Sequence, residues 1–146
     1  MEIRKAIASD IPFILSLLYE LNRPEPINDE EIKTFKNKIH EYFSDSQKSI
    51  IVAEENSKII GLVSVIYLQR LNRAKQEMYI PELVVTEMKR SSGIGKKLME
   101  FCVELAKKNE CYRIRLESGN SRIRSHSFYL NLGFEQSSLS FCKNIL

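Results

Sequence analysis

Cysteine, histidine and tryptophan are scarce in this 146-residue chain: it has three, two and none of them. Cys102, Cys111 and Cys142 are odd in number and irregularly spaced, which excludes a disulfide framework. There is no CxxC pair, and His40 and His126 make no cluster with the cysteines, so no metal site is expected. The thiols read as small core or surface residues in a reducing compartment. Long apolar runs are also missing. Ile59 to Leu68 is the longest, interrupted by Gly61 and Ser64, and falls far short of the roughly 20 residues that span a bilayer. The first residues carry Glu2, Arg4, Lys5 and Asp10, unlike a secretory leader, so a cytoplasmic protein without a membrane partner is expected. Nor does one sign of charge dominate. A net charge of +3 is mild, and nucleic acid would call for a denser basic patch.

What remains is ordinary globular composition, 43% hydrophobic and 28% charged, of a length that suits one domain over residues 1–146. Glu2 to Ile7 reads as a strand. Ser9 or Asp10 caps a helix with Pro12 in its first turn and Ile11, Ile14, Leu15, Leu18 and Leu21 at helical spacing through Asn22. Arg23-Pro24-Glu25-Pro26 breaks it. A second helix from Asp29 to Phe43 has Ile32, Phe35, Ile39 and Tyr42 on one face. Ser49 to Glu54 and Ile59 to Leu68 form a hairpin around Asn56-Ser57. Glu77 to Thr86 is a strand with a bulge or an edge at Pro81. A helix from Gly93 to Lys108 buries Ile94, Leu98, Phe101 and Leu105. Tyr112 to Glu117 is a strand, Ser121 to Asn131 a helix ended by Gly133, and Phe134 to Leu146 supplies one or two closing strands. The order βααβββαβαβ(β) predicts an α/β domain with a mixed central sheet.

The block with chemical content is Ile80-Pro81-Glu82-Leu83-Val84-Val85, followed by Arg90-Ser91-Ser92-Gly93-Ile94-Gly95-Lys96 and a helix. Glycines at a strand–turn–helix junction let a ligand approach the backbone, and the first helical N–H groups lack internal partners. With the helix dipole and the charges of Arg90 and Lys96 they form an anion site suited to a diphosphate. Two phosphate motifs fail. A P-loop needs Ser or Thr after Gly95-Lys96, where Lys97 stands, and glycine where Arg90 stands. A dinucleotide fingerprint needs glycine at Leu98. A glycine-rich turn without a ligand stays open on this block alone.

Arg90-x-x-Gly93-x-Gly95, the lead-in Glu82-Leu83-x-Val85, and Phe128-Tyr129-x-x-x-Gly133-Phe134 downstream together resemble the GCN5-related N-acetyltransferases, the GNAT superfamily. The run Ser118-Gly119-Asn120-Ser121-Arg122, followed by His126-Ser127-Phe128-Tyr129, is similar to a subgroup acting on small molecules. The resemblance spans nearly the whole chain. It implies a splay between the fourth and fifth strands and a pyrophosphate of acetyl-coenzyme A on the amides of Ser91, Ser92, Gly93, Ile94, Gly95 and Lys96. The pantetheine arm would pair with the backbone of Leu83, Val84 and Val85. The Val85 N–H would steady the oxyanion. Tyr129 would protonate the departing thiolate, the alternative being a core aromatic. Glu82 would be the general base, the alternatives being a salt bridge or a substrate-orienting group; it is read as sharing strand parity with Ile80 and Val84. Ser91 stands where many members have glycine, a change expected to matter little, and Arg122 where many have an asparagine that contacts the coenzyme. Arg122 would then touch the coenzyme phosphates or an acidic substrate, and His126 would line the site, unless both are a solvated helix face.

The reaction implied is acetyl transfer from acetyl-coenzyme A to a primary amine in a ternary complex, with no covalent intermediate on Cys102, which reads as a packing residue. A small-molecule acceptor is favoured over a protein or peptide amine. The acidic Glu25, Asp29, Glu30 and Glu31 suit a cationic acceptor and the arginines an acidic one. Two rivals stay open: a coenzyme-binding sensor without turnover, and a nucleic-acid regulator using Arg113, Arg115, Arg122 and Arg124. Many members of the family dimerise, which leaves a homodimer open.

Overall fold

Strand β1 (Glu2–Lys5) lies antiparallel to β2 (Lys48–Glu55), which pairs with β3 (Lys58–Leu68). The hairpin between β2 and β3 turns at Asn56 and Ser57, both at left-handed φ of 51° and 62°, as the right-handed twist of a tight hairpin demands. The computed structural model describes residues 1–21 and 25–146; the Arg23-Pro24 step expected to break the first helix lies outside the described residues. They form two compact units, Met1–Arg115 and Leu116–Leu146.

In the first unit, helix α1 (Ile11–Tyr19) follows a short 3-10 turn at Ala8–Asp10. Asp10 does not cap α1 as expected. Its buried carboxylate accepts the Ile7 N–H at 2.8 Å and a paired contact from the Arg4 guanidinium at 2.8 and 3.0 Å, which fixes how β1 leads into the helix. Helix α2 (Asp29–Ser44) is capped by Asn28, whose side chain accepts the Glu31 N–H at 2.8 Å. Asp29, Glu30 and Glu31 fill its first turn, where the dipole favours acids. Ile14, Leu15, Leu17 and Ile39 pack with Ile50, Val52, Leu62 and Val84 on one face of the sheet.

The strand expected over Glu77 to Thr86 is two strands, β4 (Glu77–Ile80) and β5 (Leu83–Val85), both antiparallel to β3. Tyr79 faces Ile66 and Leu83 faces Val63, so the Pro81 side of the ladder holds one residue more than β3. That is a bulge, placed where proline cannot donate. Helix α3 (Ile94–Lys108) buries Ile94, Leu98, Met99, Cys102 and Ala106. Phe101 and Leu105, expected in the stripe, are only half-buried, because the face turned to the sheet is centred nearer Met99 and Cys102.

Strand β6 (Ile114–Leu116) is reached through α3 and lies beside β4, giving a mixed sheet in the order β1-β2-β3-β4-β6, while β5 pairs only with β3 among the described strands. The ladder from β6 therefore stops before the bulge. In the second unit, α4 (Ile123–Asn131) ends at Gly133, which has φ of 89°. The closing strands expected over Phe134 to Leu146 are not formed. Leu139, Phe141 and Ile145 are exposed, so no apolar face anchors a ladder there. Among the described residues no helix is long and apolar enough to cross a membrane.

Candidate active site

The turn before α3 has the conformation that an anion site needs. Gly93 is the N-cap at φ 85°, with no side chain capping the helix, so the first N–H groups of α3 have neither a helical acceptor nor a cap. A Cβ on Gly93 would meet nothing within 4 Å; the left-handed φ, not space, requires glycine. Ser91 is also left-handed, at φ 64°. The serine that stands in the family's glycine position is therefore strained, contrary to the expectation that it matters little.

Arg90 shapes this turn. Its Nε donates to the Val85 carbonyl at 3.1 Å, folding the loop back on β5, and its Nη2 stands 4.0 Å from Glu20. Lys89 pairs with Glu55 at 2.9 Å, and Ser92 Oγ donates to the Lys89 carbonyl. Gly61 of β3 lets α3 approach the sheet: a Cβ there would lie 3.1 Å from Leu98 and 3.3 Å from both Ile94 and the Val84 carbonyl.

Ladder parity sorts the β5 residues. Ser64 donates its N–H to the Glu82 carbonyl at 2.9 Å, and Thr86 donates to the Ile60 carbonyl at 2.8 Å. In an antiparallel pair the alternate residues turn outward. Val84 therefore faces β3 with its backbone, and its side chain is buried; Leu83 and Val85 direct their N–H groups to the edge without a strand partner.

Glu82 sits in the bulge. It accepts a hydrogen bond from Ser64 Oγ, and its own N–H lies 3.0 Å from that oxygen. The expected parity with Ile80 does not hold. Glu82 is opposite Ser64 and Tyr79 opposite Ile66, so the bulge turns Glu82 to the face of Tyr79 and Val84 and away from Ile80. Ser64 is itself buried. Tyr42 of α2 belongs to the same neighbourhood. Burial first, then the charges of Glu82 and Asp45, push its phenol up to about 12. Neither Ser64 nor Tyr42 carried a recognisable signal in the sequence, since their link to Glu82 arises only from strand pairing.

In the second unit, Tyr129 packs edge-on against Phe128 and Phe134 at centroid distances of 5.1 and 5.7 Å. Burial raises its phenol pKa, and the charge of Arg122 partly opposes this. Arg122 is the N-cap residue of α4. His126 Nε2 lies 2.7 Å from the Gly119 carbonyl and so holds the loop that leads into α4. Burial pushes the Cys102 thiol up to about 12, which leaves it no thiolate for nucleophilic attack at neutral pH.

A bulged strand with one open edge is followed by a glycine turn and an uncapped helix, an arrangement that offers free backbone amides to an anionic ligand. The sequence profile of the acetyltransferase (GNAT) family matches residues 15–134, and the chain belongs to that family. It is thus an acetyl-coenzyme A-dependent N-acetyltransferase. The chain is 27% identical over 142 residues to the aminoalkylphosphonate N-acetyltransferase of Salmonella typhimurium, covering 97% of this chain and 90% of that one. It is also 27% identical over 130 residues to the glucosamine 6-phosphate N-acetyltransferase of Arabidopsis thaliana, covering 88% and 85%. The crystal structure of the Arabidopsis enzyme matches with a TM-score of 0.84 and 28% identity over 99% of this chain and 97% of that one.

Proposed function

We propose that the acceptor is a small-molecule primary amine and that acetyl passes to it directly, in a complex of both substrates. The observation that carries this reading is Glu82: a half-buried carboxylate held in a bulge by Ser64, beside a strand edge that no other described strand occupies. The amides at the start of α3 hold the pyrophosphate, with Ser91, Ser92, Gly93, Ile94, Gly95 and Lys96 supplying the turn. The outward N–H groups of Leu83 and Val85 pair with the pantetheine arm; Val84, facing β3, contributes packing only.

The chemistry then balances simply. Glu82 takes a proton from the ammonium of the acceptor, directly or through water. The free amine attacks the thioester carbonyl, and a C–N bond forms. The resulting oxyanion accepts a hydrogen bond from the Val85 N–H. The C–S bond breaks, the thiolate takes the Tyr129 phenol proton, and the nitrogen gives up its remaining extra proton through water to the tyrosinate, which restores the phenol and leaves the neutral amide. A raised phenol pKa suits that role, because Tyr129 stays protonated across the neutral range. Arg122 is proposed to contact the coenzyme phosphates.

Two relatives are named for acceptors that carry an amine and a phosphorus oxyanion on one small molecule. Anionic amines are therefore the first acceptors to test. The assay is release of free thiol from acetyl-coenzyme A across a panel of small amines and peptides. Transfer to small amines supports the reading. Transfer to peptides alone, or coenzyme binding without turnover on any amine, overturns it.

A further inference from the structure

Glu77 is a crowded carboxylate outside the site described above. Its side chain is 0% exposed at the start of β4. One oxygen accepts from Arg70 Nη2 at 2.9 Å and from Arg115 Nε at 3.0 Å. The other accepts from Arg113 Nε at 2.7 Å and from the Tyr112 hydroxyl at 3.1 Å. Arg73 adds a fourth guanidinium, 4.5 Å from the Tyr112 ring centroid, and Arg115 lies 4.7 Å from that of Tyr79. One arginine in bidentate contact is enough to balance a buried carboxylate. Even with Arg115 left aside, Arg70, Arg73 and Arg113 outnumber the single charge of Glu77. That excess of positive charge suits a second anion from outside. Arg70 and Arg113 are 43% and 46% exposed, open enough to receive one.

The cluster shares a sheet face with the proposed base. Along β3, Leu68 is opposite Glu77, Ile66 opposite Tyr79 and Ser64 opposite Glu82. Alternate residues of a strand stand roughly 7 Å apart, so the arginines begin about one such step from Glu82 and extend to about two. That span is the reach of a small molecule with an amine at one end and an oxyanion at the other. We propose that the arginines gathered by Glu77 are the anchor for a phosphate, phosphonate or carboxylate group of the acceptor, whose amine is presented to Glu82. This rests on the small-molecule acetyltransferase reading above. Glu77 is a positioning residue here: it orients the guanidiniums, and the guanidiniums touch the ligand. Because Arg113 and Arg115 turn their Nε groups to one buried carboxylate, they suit a compact anion better than the extended backbone of a nucleic acid.

The test has two arms, both on the full chain. In the first, inorganic phosphate is titrated onto protein saturated with coenzyme A, which fills the pyrophosphate turn, and binding is followed by NMR. Millimolar binding is expected, weakened at least fivefold in Arg113→Gln and in Arg73→Gln. Arg73 makes no bond to Glu77, so its variant keeps the fold even if the other does not. No binding, or equal binding in both variants, overturns the anchor. In the second arm, 2-aminoethylphosphonate and glucosamine 6-phosphate are compared with ethanolamine and glucosamine. A preference of at least tenfold in kcat/KM for the anionic member is expected. It should shrink through KM in Arg73→Gln. No preference, or a preference untouched by the variants, overturns the proposal. Absence of turnover on every amine while phosphate still binds through the arginines instead sinks the acetyltransferase reading of the acceptor and leaves the anion site standing. Salt-sensitive binding of duplex DNA that phosphate displaces would reassign the arginines to nucleic acid and overturn it.

Discussion

Glu82 and Glu77 are two acids on one face of one strand path. Glu82 accepts a hydrogen bond from Ser64 beside an open edge. Its removal should act on turnover. Glu82→Gln is expected to lower kcat by about 100-fold or more at neutral pH, within the range of general-base contributions, with acetyl-coenzyme A affinity unchanged in a titration. Retention of kcat would make Glu82 an orienting group. Glu77 is surrounded by cations. Burial would raise its pKa, but hydrogen bonds from Arg113, Arg115 and Tyr112 outweigh that and hold it at about 2. A carboxylate lowered on folding stabilises the native state above its ordinary pKa and loses that contribution as the pH falls. The window is therefore from about 4.5 down to about 2, and the contribution is at most about 3 kcal/mol, reduced by the exposure of the arginines. Denaturant melts of wild type and Glu77→Gln should differ at pH 6 and converge near pH 2. Tyr129→Phe should lower turnover far more than coenzyme affinity. With burial raising the Tyr129 phenol above its ordinary pKa, loss of rate from its ionisation should set in at higher pH than for a free tyrosine.

At the scale of elements, the glycine turn was legible because its requirement is local: a left-handed residue at the helix cap and unengaged amides behind it. The Asn56-Ser57 hairpin was legible for the same reason. Whatever depends on pairing across the sheet was not. The proline announced a bulge, but not that the bulge would turn Glu82 away from Ile80. Arg113 and Arg115, before and in β6, looked like a basic stripe because Glu77, their shared acceptor, lies 36 and 38 positions earlier in the chain. The closing strands looked plausible from apolar content, yet Leu139, Phe141 and Ile145 find no face to cover. The contact between α3 and β3 is equally non-local and gives a sharp prediction. Gly61→Ala forces a methyl against Leu98, Ile94 and the Val84 carbonyl. A cost of about 1–3 kcal/mol in denaturant melts is expected, with weaker acetyl-coenzyme A binding because the start of α3 shifts. Ser91→Gly should do the reverse and stabilise the chain by up to about 1 kcal/mol, since glycine accepts its left-handed φ without strain.

At the scale of the whole molecule, a net charge of +3 conceals a strongly uneven distribution. The acids Asp29, Glu30 and Glu31 lie in the first turn of α2, where the dipole accounts for them; three arginines meet one buried acid at the start of β4, and a fourth, Arg73, lies on the ring of Tyr112. Family membership establishes acetyl transfer to an amine; this distribution points to the kind of amine. The most direct measurement is a thiol-release assay with acetyl-coenzyme A and 2-aminoethylphosphonate, with the product identified by mass spectrometry, on wild type and Glu82→Gln. The expected result is an N-acetylated product from wild type and at least about 100-fold slower formation in the variant. Equal rates in the two proteins, or no N-acetylated product from any small amine in place of the phosphonate, would contradict the account.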